Sequence, residues 1–381
     1  MKILLVLDQF DGANNGNTMA GRNLAQRLKE RGHEVRVLAG GESRENEKWG
    51  LAVYHVPIFN NLVTRQGFAF AKPDMDKIRE AVGWADFIHV LMPFFISKKA
   101  IMVAREMGKP FTGAFHVPPE CITYSINMGK WKLVNDFLYM VERDYIFRYI
   151  PHIHCPSKMI ADFLVKHRFK SQLHIISNGI TDEFFQGSKL EKTDEFKGRF
   201  LVVMSGRMSH EKRQDVLIKA VRLSRHSKEI QLLLAGQGPL TEKYLRMGRD
   251  LPNPIMIRFY RRDELRDMLH MADLYVHASD AEIEAISAME AIATGLVPVI
   301  SDSKSSATGQ FALDDRSLFK AGSPRSLAQK IDYWIEHPQQ RLEMEPRYIE
   351  KANEYRISRC IDQMLDMFSL EIEENRKRLS K

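Results

Sequence analysis

Short hydrophobic runs alternate with longer amphipathic segments along the whole chain of 381 residues. Runs at residues 2–7, 87–91, 231–238 and 274–277 are almost continuously apolar, which is typical of strands buried on both faces of a parallel sheet. Polar loops and segments with the helical period follow them. The pattern therefore predicts an α/β protein built from doubly wound βαβ units.

Length and composition indicate two domains. A chain of 381 residues with 44% hydrophobic content can form two ordinary cores, and the charged, aperiodic stretch 187–199 predicts the linker between them. Three widely spaced cysteines fit a reducing cytoplasm better than a disulfide framework. The apolar N-terminal run is too short for a signal peptide, and the run 87–96 is about half of a membrane span. We expect a cytoplasmic protein, soluble or peripheral on the inner face of the membrane.

The net charge of +7 is concentrated in the first half. Residues 1–190 contain 25 Lys and Arg against 19 Asp and Glu, whereas residues 191–381 contain 31 against 30. This asymmetry favours an anionic membrane surface or a phosphate-bearing acceptor as partner, although a basic surface without a partner explains it equally well. No nucleic-acid-binding module accompanies the charge, so nucleic acid is not expected.

Residues 124–149 interleave basic and aromatic side chains on a predicted helix. Lys130, Trp131, Lys132 and Arg143 illustrate the mixture, which is typical of an element lying at lipid headgroups. The alternative is a helix that packs its aromatic side chains into its own domain. The pattern alone leaves both interpretations open.

The stretch 278–301 contains two glutamates on one predicted helix. Ser279 and Asp280 favour a helix start, and Gly295 favours its end, so the helix is predicted over residues 283–294. Glu282 and Glu284 would place negative charge in its first turn. Glu282 and Glu290 stand eight positions apart, so their carboxylates would lie about 12 Å or less apart along the axis. They would suit a ligand with two hydroxylated ends, such as a nucleotide sugar. Otherwise Glu282 is a helix-dipole partner and Glu290 a solvated residue.

This stretch resembles the signature of retaining glycosyltransferase family 4, which has the GT-B fold. The resemblance rests on a Glu, seven residues, a second Glu followed by Ala, and then Gly and Pro-Val. It implies that Glu282 contacts the donor sugar and Glu290 the ribose. Ile283, Glu284, Ala285 and Ile286 would present the loop amides to the sugar, although the family commonly has Gly-Phe-Gly or Pro-Phe-Gly at 283–285.

A second match to the family lies in the loop after the strand that begins at residue 200. Gly206-Arg207 and Glu211-Lys212 match the family's Gly-Arg-Leu and Glu-Lys-Gly sites. The resemblance implies that Arg207 and Lys212 hold the donor diphosphate, and two such cations could neutralise the leaving group without a metal ion. Arg213 stands where the family usually has Gly. Solvated surface charge is the alternative interpretation.

The first half contributes two candidate site residues. His116 follows a predicted strand at 110–115, where open α/β sheets place ligands, and in the family a histidine there faces the donor sugar. Gly16 belongs to a glycine-containing loop that matches neither the dinucleotide nor the ATP fingerprint but could face the diphosphate. His152, His154 and His174 alternate on predicted strands, and no acidic residue is spaced to complete a metal site with them.

The resemblance implies a GT-B protein with two Rossmann-like, doubly wound domains facing a cleft. We predict an acceptor-side domain at 1–188, a nucleotide-sugar-binding domain at 189–360, and a last helix at 361–381 that crosses back to the first. The expected function is retaining, metal-independent transfer of a hexose from a UDP-sugar to a membrane lipid such as diacylglycerol or a related glycolipid. No cofactor is expected, and front-face displacement is implied because no side chain is an obvious nucleophile. The alternatives are a polysaccharide or cell-wall glycosyltransferase acting on a polyprenyl-linked sugar, and a nucleotide-sugar-binding protein without activity.

Overall fold

The computed structural model describes residues 1–11, 16–54, 70–120, 123 and 131–380. They form two compact units. The first unit comprises Met1–Ser177 and Ser358–Lys381, and the second comprises Asn178–Ile357. The second unit thus begins before the linker that the composition suggested at 187–199. Phe184 explains the earlier boundary, because its ring is fully buried in the core of the second unit.

The first unit contains one seven-stranded sheet, whose neighbouring strands all pair in parallel in the order β3-β2-β1-β6-β7-β8-β9. The strands of this unit are β1 (Lys2–Val6), β2 (Glu34–Gly40), β3 (Lys48–Leu51), β4 (Val53–Tyr54), β5 (Phe70–Ala71), β6 (Phe87–Val90), β7 (Phe111–Ala114), β8 (His152–Cys155) and β9 (Gln172–Ile175). Its first five helices are α1 (Gly16–Glu30), α2 (Met75–Trp84), α3 (Phe95–Glu106), α4 (Lys132–Tyr145) and α5 (Lys158–Lys166). The short strands β4 and β5 form a separate antiparallel pair.

The second unit contains a six-stranded parallel sheet in the order β12-β11-β10-β13-β15-β17. The strands of this unit are β10 (Phe200–Ser205), β11 (Ile230–Ala235), β12 (Met256–Arg258), β13 (Leu274–His277), β14 (Ala281–Glu282), β15 (Pro298–Ser301), β16 (Ser305–Ser306) and β17 (Leu318–Phe319). Its helices are α6 (Gln214–Leu223), α7 (Thr241–Gly248), α8 (Arg262–Met271), α9 (Ile286–Ala293), α10 (Pro324–Glu336) and α11 (Pro338–Asn353). The strands β14 and β16 pair with each other outside the main sheet.

Both sheets are doubly wound. In each, the first strand lies beside the second on one side and beside a later strand on the other, which is the Rossmann-like order. The central strands are apolar on both faces, as in β1, where the side chains from Ile3 to Val6 are fully buried. The prediction of two Rossmann-like units is confirmed. In such sheets ligands bind beyond the carboxyl ends of the strands. The loops after β7, β10 and β13 are therefore expected to bind ligands.

The last helix, α12 (Ile357–Leu379), packs on the first unit over nearly all of its length. The Phe368 ring lies 4.4 Å from that of Phe87 on β6, measured between centroids, and the Asn375 side chain donates a hydrogen bond to the carbonyl of Gly108. The helix begins four residues before the predicted start at 361. Among the described residues, no helix has both the length and the apolar character needed to cross a membrane.

Candidate active site

The loop after β10 places the first candidate residues at the carboxyl end of the second sheet. Gly206 has a φ of 143°, and Gly236, after the neighbouring strand β11, has a φ of 155°. A side chain on Gly236 would clash with the carbonyl of Gly206, so the two strand ends approach each other as only glycine permits. Lys212 lies across this turn, since a Cβ on Gly206 would be 3.8 Å from its Cε.

Lys212 forms an ion pair with Glu282, as the Nζ atom contacts Oε1 of the carboxylate. The same oxygen lies 3.0 Å from Nε2 of His277, the last residue of β13. Both side chains are largely buried with Glu282. Two of the predicted residues are therefore brought into direct contact. His277 is a third member that the sequence did not single out.

The hydrogen bonds around His277 define its tautomer. An ionised carboxylate only accepts, so Nε2 carries the proton and donates it to Glu282. Nδ1 then accepts from the hydroxyl of Tyr275, 3.2 Å away, which in turn lies 3.2 Å from the hydroxyl of Ser205. A chain of polar groups thus runs from β10 through β13 to Glu282 and fixes its orientation.

The electrostatics keep Glu282 ionised. Burial alone would raise its pKa, but Lys212 and His277 outweigh burial and lower the pKa well below the usual range. Burial lowers the pKa of His277, so its imidazole is neutral at pH 7. Burial also opposes the charge on Lys212, yet Glu282 raises the pKa of the amine above its usual value. The site therefore contains one anion and one cation in contact.

Both donors to Glu282 bind the same oxygen. Oε1 receives Lys212 and His277, and within the described residues Oε2 has no hydrogen bond. The residue is not completely buried, since 11% of its side chain is exposed. Oε2 therefore has the capacity to accept a further hydrogen bond.

Arg213 shows why the family usually has glycine at its position. It is in the left-handed conformation, with a φ of 56°, just before α6 begins. Its guanidinium reaches Asp280, with Nη1 2.6 Å from Oδ2, and also contacts Asp215. Asp280 additionally donates its N–H to the carbonyl of Glu211. Arg213 thus ties the loop after β10 to the segment after β13.

The prediction of a helix from residue 283 is wrong. Glu282 lies in the short strand β14, and α9 begins at Ile286 after Ala285, whose φ of 66° is left-handed. Pairing of β14 with β16 holds the chain extended past Ser279 and Asp280, so these residues do not start the helix. The inference of an axial separation between Glu282 and Glu290 within one helix fails for the same reason.

Glu284 is buried instead of facing solvent in the first helical turn. Its Oε2 accepts hydrogen bonds from the N–H and the side-chain amide of Asn178, at 3.0 and 2.7 Å. This contact anchors the loop 283–285 to the first residue of the second unit. The assignment of the Glu284 side chain to first-turn charge is therefore wrong. The backbone roles of Ile283, Glu284, Ala285 and Ile286 towards a sugar stay predictions.

Glu290 lies inside α9 in surroundings very different from those of Glu282. It is buried, and its closest cation is Arg262 of α8, with Nη2 3.4 Å from Oε1. Arg262 also forms a close ion pair with Glu183. Burial raises the pKa of Glu290 to about 7, since Arg262 only partly compensates and Glu183 adds repulsion. Glu290 is therefore not the solvated residue of the alternative interpretation.

Arg207 is half-buried in the loop after β10. Its carbonyl accepts a hydrogen bond from the buried side chain of Gln214 at 2.8 Å, which links the loop to the start of α6. The role of its guanidinium in binding a diphosphate stays a prediction.

The two candidates in the first unit are placed as follows. His116 comes two residues after β7, is buried, and has no hydrogen-bond partner for either ring nitrogen among the described residues. Burial and the neighbouring His154 hold its pKa well below the ordinary value, so the imidazole is neutral. Gly16 begins α1, while the loop before it, 12–15, lies outside the described residues. Their roles stay predictions.

Reasoning from the sequence missed His277, Tyr275 and Arg262. The strand LYVH of β13 carried a usable signal, because polar ring groups in a fully buried strand require partners there. Arg262 gave no such signal, since an arginine at the start of a surface helix is unremarkable in sequence.

Comparison with family models identifies the group of proteins to which the chain belongs. A family model described as Glycosyl transferases group 1 matches residues 186–354, and one described as Glycosyltransferase Family 4 matches residues 19–184. The chain belongs to glycosyltransferase family 4. It is thus a glycosyltransferase, and its two parallel sheets are those of the GT-B fold. The predicted family and fold class are confirmed.

Two relatives of this family 4 glycosyltransferase are named as synthases of a glycolipid. It is 24% identical over 319 residues to the alpha-monoglucosyldiacylglycerol synthase of Streptococcus pneumoniae, covering 79% of this chain and 70% of that one. It is 25% identical over 320 residues to a GDP-mannose-dependent alpha-mannosyltransferase of Corynebacterium glutamicum, covering 79% and 72%. The crystal structure of Anabaena Alr3699/HepE in complex with UDP matches with a TM-score of 0.74 at 17% identity, over 97% of this chain and 100% of that one.

Proposed function

We propose that this glycosyltransferase moves a hexose from a nucleotide diphospho-sugar, with retention of configuration, to a membrane lipid acceptor. The observation that carries the donor part is the arrangement at Glu282. Two donors fix its Oε1 and leave Oε2 without a hydrogen bond within the described residues, so a rigid, ionised acceptor is prepared for a sugar hydroxyl. Such preorganisation avoids the cost of reorienting groups during the reaction.

Lys212 is the group that we assign to the departing diphosphate. Its amine is buried, charged and held by Glu282 at the loop after β10, where α/β sheets bind phosphates. Arg207 of the same loop is the second cation. Together they would stabilise the charge that develops on the leaving nucleoside diphosphate without a metal ion. We expect activity to persist in EDTA, and loss that only Mn²⁺ or Mg²⁺ restores would contradict this assignment.

Glu290 is assigned to the ribose. It is a carboxyl group of the same unit, separate from the Lys212 pair and held by Arg262. His116, a neutral imidazole with two unused ring nitrogens among the described contacts, is assigned to the donor sugar. None of these side chains attacks the sugar in this proposal. The acceptor hydroxyl attacks the face from which the diphosphate leaves, and a leaving-group oxygen takes its proton.

Helix α4 supports a lipid acceptor because it exposes large apolar side chains, which a surface helix ordinarily buries. The buried face carries Asn135 and Tyr139, whereas large apolar side chains are exposed on the opposite face. Leu133 is 85% exposed and Phe137 is 62% exposed, and the spacing of the exposed set follows one helical stripe. The apolar stripe consists of Leu133, Phe137, Met140 and Val141.

The surfaces next to this stripe are basic. A cavity of about 540 Å³ at the end of α4 is lined chiefly by cationic side chains. They are Arg143, Arg148, Arg168 and Lys170, with Asp144 as ion-pair partner of Arg143. An apolar stripe beside basic groups is typical of elements that insert at the level of anionic headgroups. Lys130, part of the predicted basic segment, lies outside the described residues.

The donor and acceptor can be tested with purified protein. We expect transfer from a UDP-sugar to diacylglycerol in anionic vesicles, with the product's anomeric configuration matching the donor's when measured by NMR. UDP is favoured because it is bound in Anabaena Alr3699/HepE. GDP- and ADP-sugars serve as comparisons, since two relatives bear GDP-mannose-dependent names. Transfer only to polyprenyl-linked sugars would favour a wall-polymer enzyme, and donor binding without transfer or hydrolysis would indicate a binding protein.

The membrane part has its own test. Replacing Leu133 and Phe137 together by Ser should weaken sedimentation with anionic vesicles by about tenfold or more, because each side chain contributes on the order of 2 kcal/mol when buried. Leu223→Ser is the matched control, as Leu223 is 57% exposed on the second unit. Equal loss in both variants, or equal binding to neutral and anionic vesicles, would contradict the proposed docking surface.

A further inference from the structure

A group of metal-ligating side chains lies on the first unit, apart from the residues assigned to the donor. It is formed by His152 of β8 and by Glu371 and Glu374 of α12. His152 and Glu371 are buried, whereas the side chain of Glu374 is 40% exposed. Within the described residues it is the one group of at least three His, Cys, Asp or Glu side chains with ligand atoms close enough to share an ion.

The topology explains why the sequence concealed this group. His152 and Glu371 are separated by most of the chain, and α12 returns to the edge of the sheet formed by β8 and β9. Glu371 and Glu374 are three residues apart, so they project from the same face of the helix. The acidic partners that the histidines lacked in sequence are thus supplied by the last helix.

The distances between the candidate ligand atoms fit an ion that binds its ligands at short range, such as zinc. Nε2 of His152 lies 3.2 Å from Oε2 of Glu374 and 3.5 Å from Oε2 of Glu371. Ligands at about 2.0–2.2 Å from a tetrahedral zinc ion are separated from each other by about 3.3–3.6 Å. All three ligand atoms lie within 4.8 Å of one another. The side chain of Glu374 is partly exposed, so an ion could reach this group from solvent.

The surrounding contacts also favour an ion. Nδ1 of His152 lies 3.0 Å from Nε2 of His174, which would orient the imidazole with its other nitrogen towards a metal. Arg378 binds Oε1 of Glu371 at 2.6 Å. Oε2 of the same carboxylate is buried without a hydrogen-bond partner among the described residues. The ligand oxygen of Glu371 therefore points into the group and is not already used.

The charge of this group is incompletely compensated. Arg378 is the cation that contacts both carboxylates, with Nη1 3.6 Å from Oε2 of Glu374. Two carboxylates thus share one arginine, and a further positive charge would stabilise the buried carboxylate of Glu371.

We propose that His152, Glu371 and Glu374 bind a divalent transition-metal ion, with zinc as the representative ion. One imidazole and two carboxylates suit Zn²⁺ and similar ions better than Mg²⁺ or Ca²⁺, which prefer oxygen ligands alone. The ion would clamp α12 to the sheet edge at β8. Its role is structural, so this site is independent of the metal-free sugar transfer proposed above.

The test uses the full chain stripped with a chelator and titrated with ZnCl₂. We expect one high-affinity zinc equivalent by calorimetry, and a rise in Tm of about 5–10 °C when free zinc exceeds the Kd a hundredfold. MgCl₂ at the same concentration should not raise Tm. Co²⁺ should give the visible absorption bands of a low-symmetry site, which are more intense than those of the hydrated ion.

Glu374→Gln and Glu373→Gln form a matched pair of variants. Both remove one negative charge from neighbouring positions of α12, but Glu373 is exposed and outside the group. Glu374→Gln should lose the Tm rise and lower zinc affinity at least about tenfold, whereas Glu373→Gln should behave as wild type. Because Glu374 is partly exposed, folding of the variant is expected. Equal zinc responses in both variants, or no stoichiometric zinc in the wild type, would overturn the proposal.

Discussion

Glu282 and Glu290 belong to one short stretch of chain, yet their surroundings are opposite. One carboxylate oxygen of Glu282 contacts both Lys212 and the neutral His277. These two contacts lower the pKa of Glu282 well below the usual range. Glu290 is held by one arginine at 3.4 Å, which is itself paired with Glu183, and its pKa is raised to about 7. One carboxylate is fixed as an anion, and the other titrates near neutrality.

This difference suggests that the carboxyl groups of Glu282 and Glu290 have different roles. A permanently charged, rigid acceptor suits the sugar that reacts, because its contacts must hold as the transition state forms. A carboxyl group with a nearly neutral pKa suits a hydroxylated part of the ligand that does not react. The predictions below separate the Glu282 region from the Glu290 region, from the largest expected effect to the smallest.

Lys212→Ala should have the largest effect. We expect turnover to fall by about 10²-fold or more, because the substitution removes a preorganised cation from the developing charge of the leaving group. Lys219→Ala is the matched control, since Lys219 is an exposed lysine of α6 paired with Asp215. Steady-state kinetics and a thermal melt measure both variants. Near-normal turnover in Lys212→Ala would contradict the diphosphate assignment.

Glu282→Gln should lower kcat by about tenfold to 10²-fold with little change in KM for the donor. The amide keeps the shape but removes the charge that pairs with Lys212 and accepts from the sugar, so the loss falls on the transition state. Initial rates at varied donor concentration give both constants. A raised KM with unchanged kcat would move Glu282 out of the reacting region.

Glu290→Gln should mainly raise KM for the donor and remove a pH dependence. With a pKa of about 7, the wild-type carboxyl is protonated below and ionised above that pH. Its ionised fraction, and with it donor affinity, should rise about tenfold between pH 6 and 8. The variant cannot ionise, so its KM should stay flat over this range. A wild-type KM independent of pH would argue against a ribose contact by the ionised form.

His277→Gln should have the smallest effect, a loss of about fivefold in kcat. The hydrogen bond to Glu282 is worth about 1 kcal/mol, and Lys212 still holds the same oxygen. Because His277 is neutral at pH 7, the loss should not vary between pH 7 and 9. A loss as large as that of Glu282→Gln would show that the histidine, and not the lysine, chiefly positions the carboxylate.

The sequence predicted the fold well because strand burial leaves a local pattern. The apolar runs that correspond to β1, β6, β11 and β13 needed no tertiary information. The ion pair between Lys212 and Glu282, by contrast, leaves no local pattern in the sequence from which it could be predicted. Two motifs 70 positions apart meet only because β10 and β13 are neighbours in the sheet.

Errors arose where tertiary contacts override local preference. Ser279, Asp280 and Glu284 resemble a helix start, but the pairing of β14 with β16 keeps this segment extended. The carboxylate of Glu284 then accepts a hydrogen bond from Asn178, which is far away in sequence. The group at His152 was hidden for a related reason, since its carboxylates come from the last helix.

Binding of the nucleoside diphosphate without its sugar tests the division between Glu282 and Glu290 most directly. Calorimetry would compare wild type, Glu282→Gln and Glu290→Gln with UDP, or with GDP or ADP if one of these binds more tightly. We predict that Glu290→Gln weakens binding by about tenfold, because it removes a charge-assisted contact to the ribose. Glu282→Gln should leave the affinity unchanged or stronger, since Lys212 is released. Weaker binding in Glu282→Gln together with unchanged binding in Glu290→Gln would contradict the account.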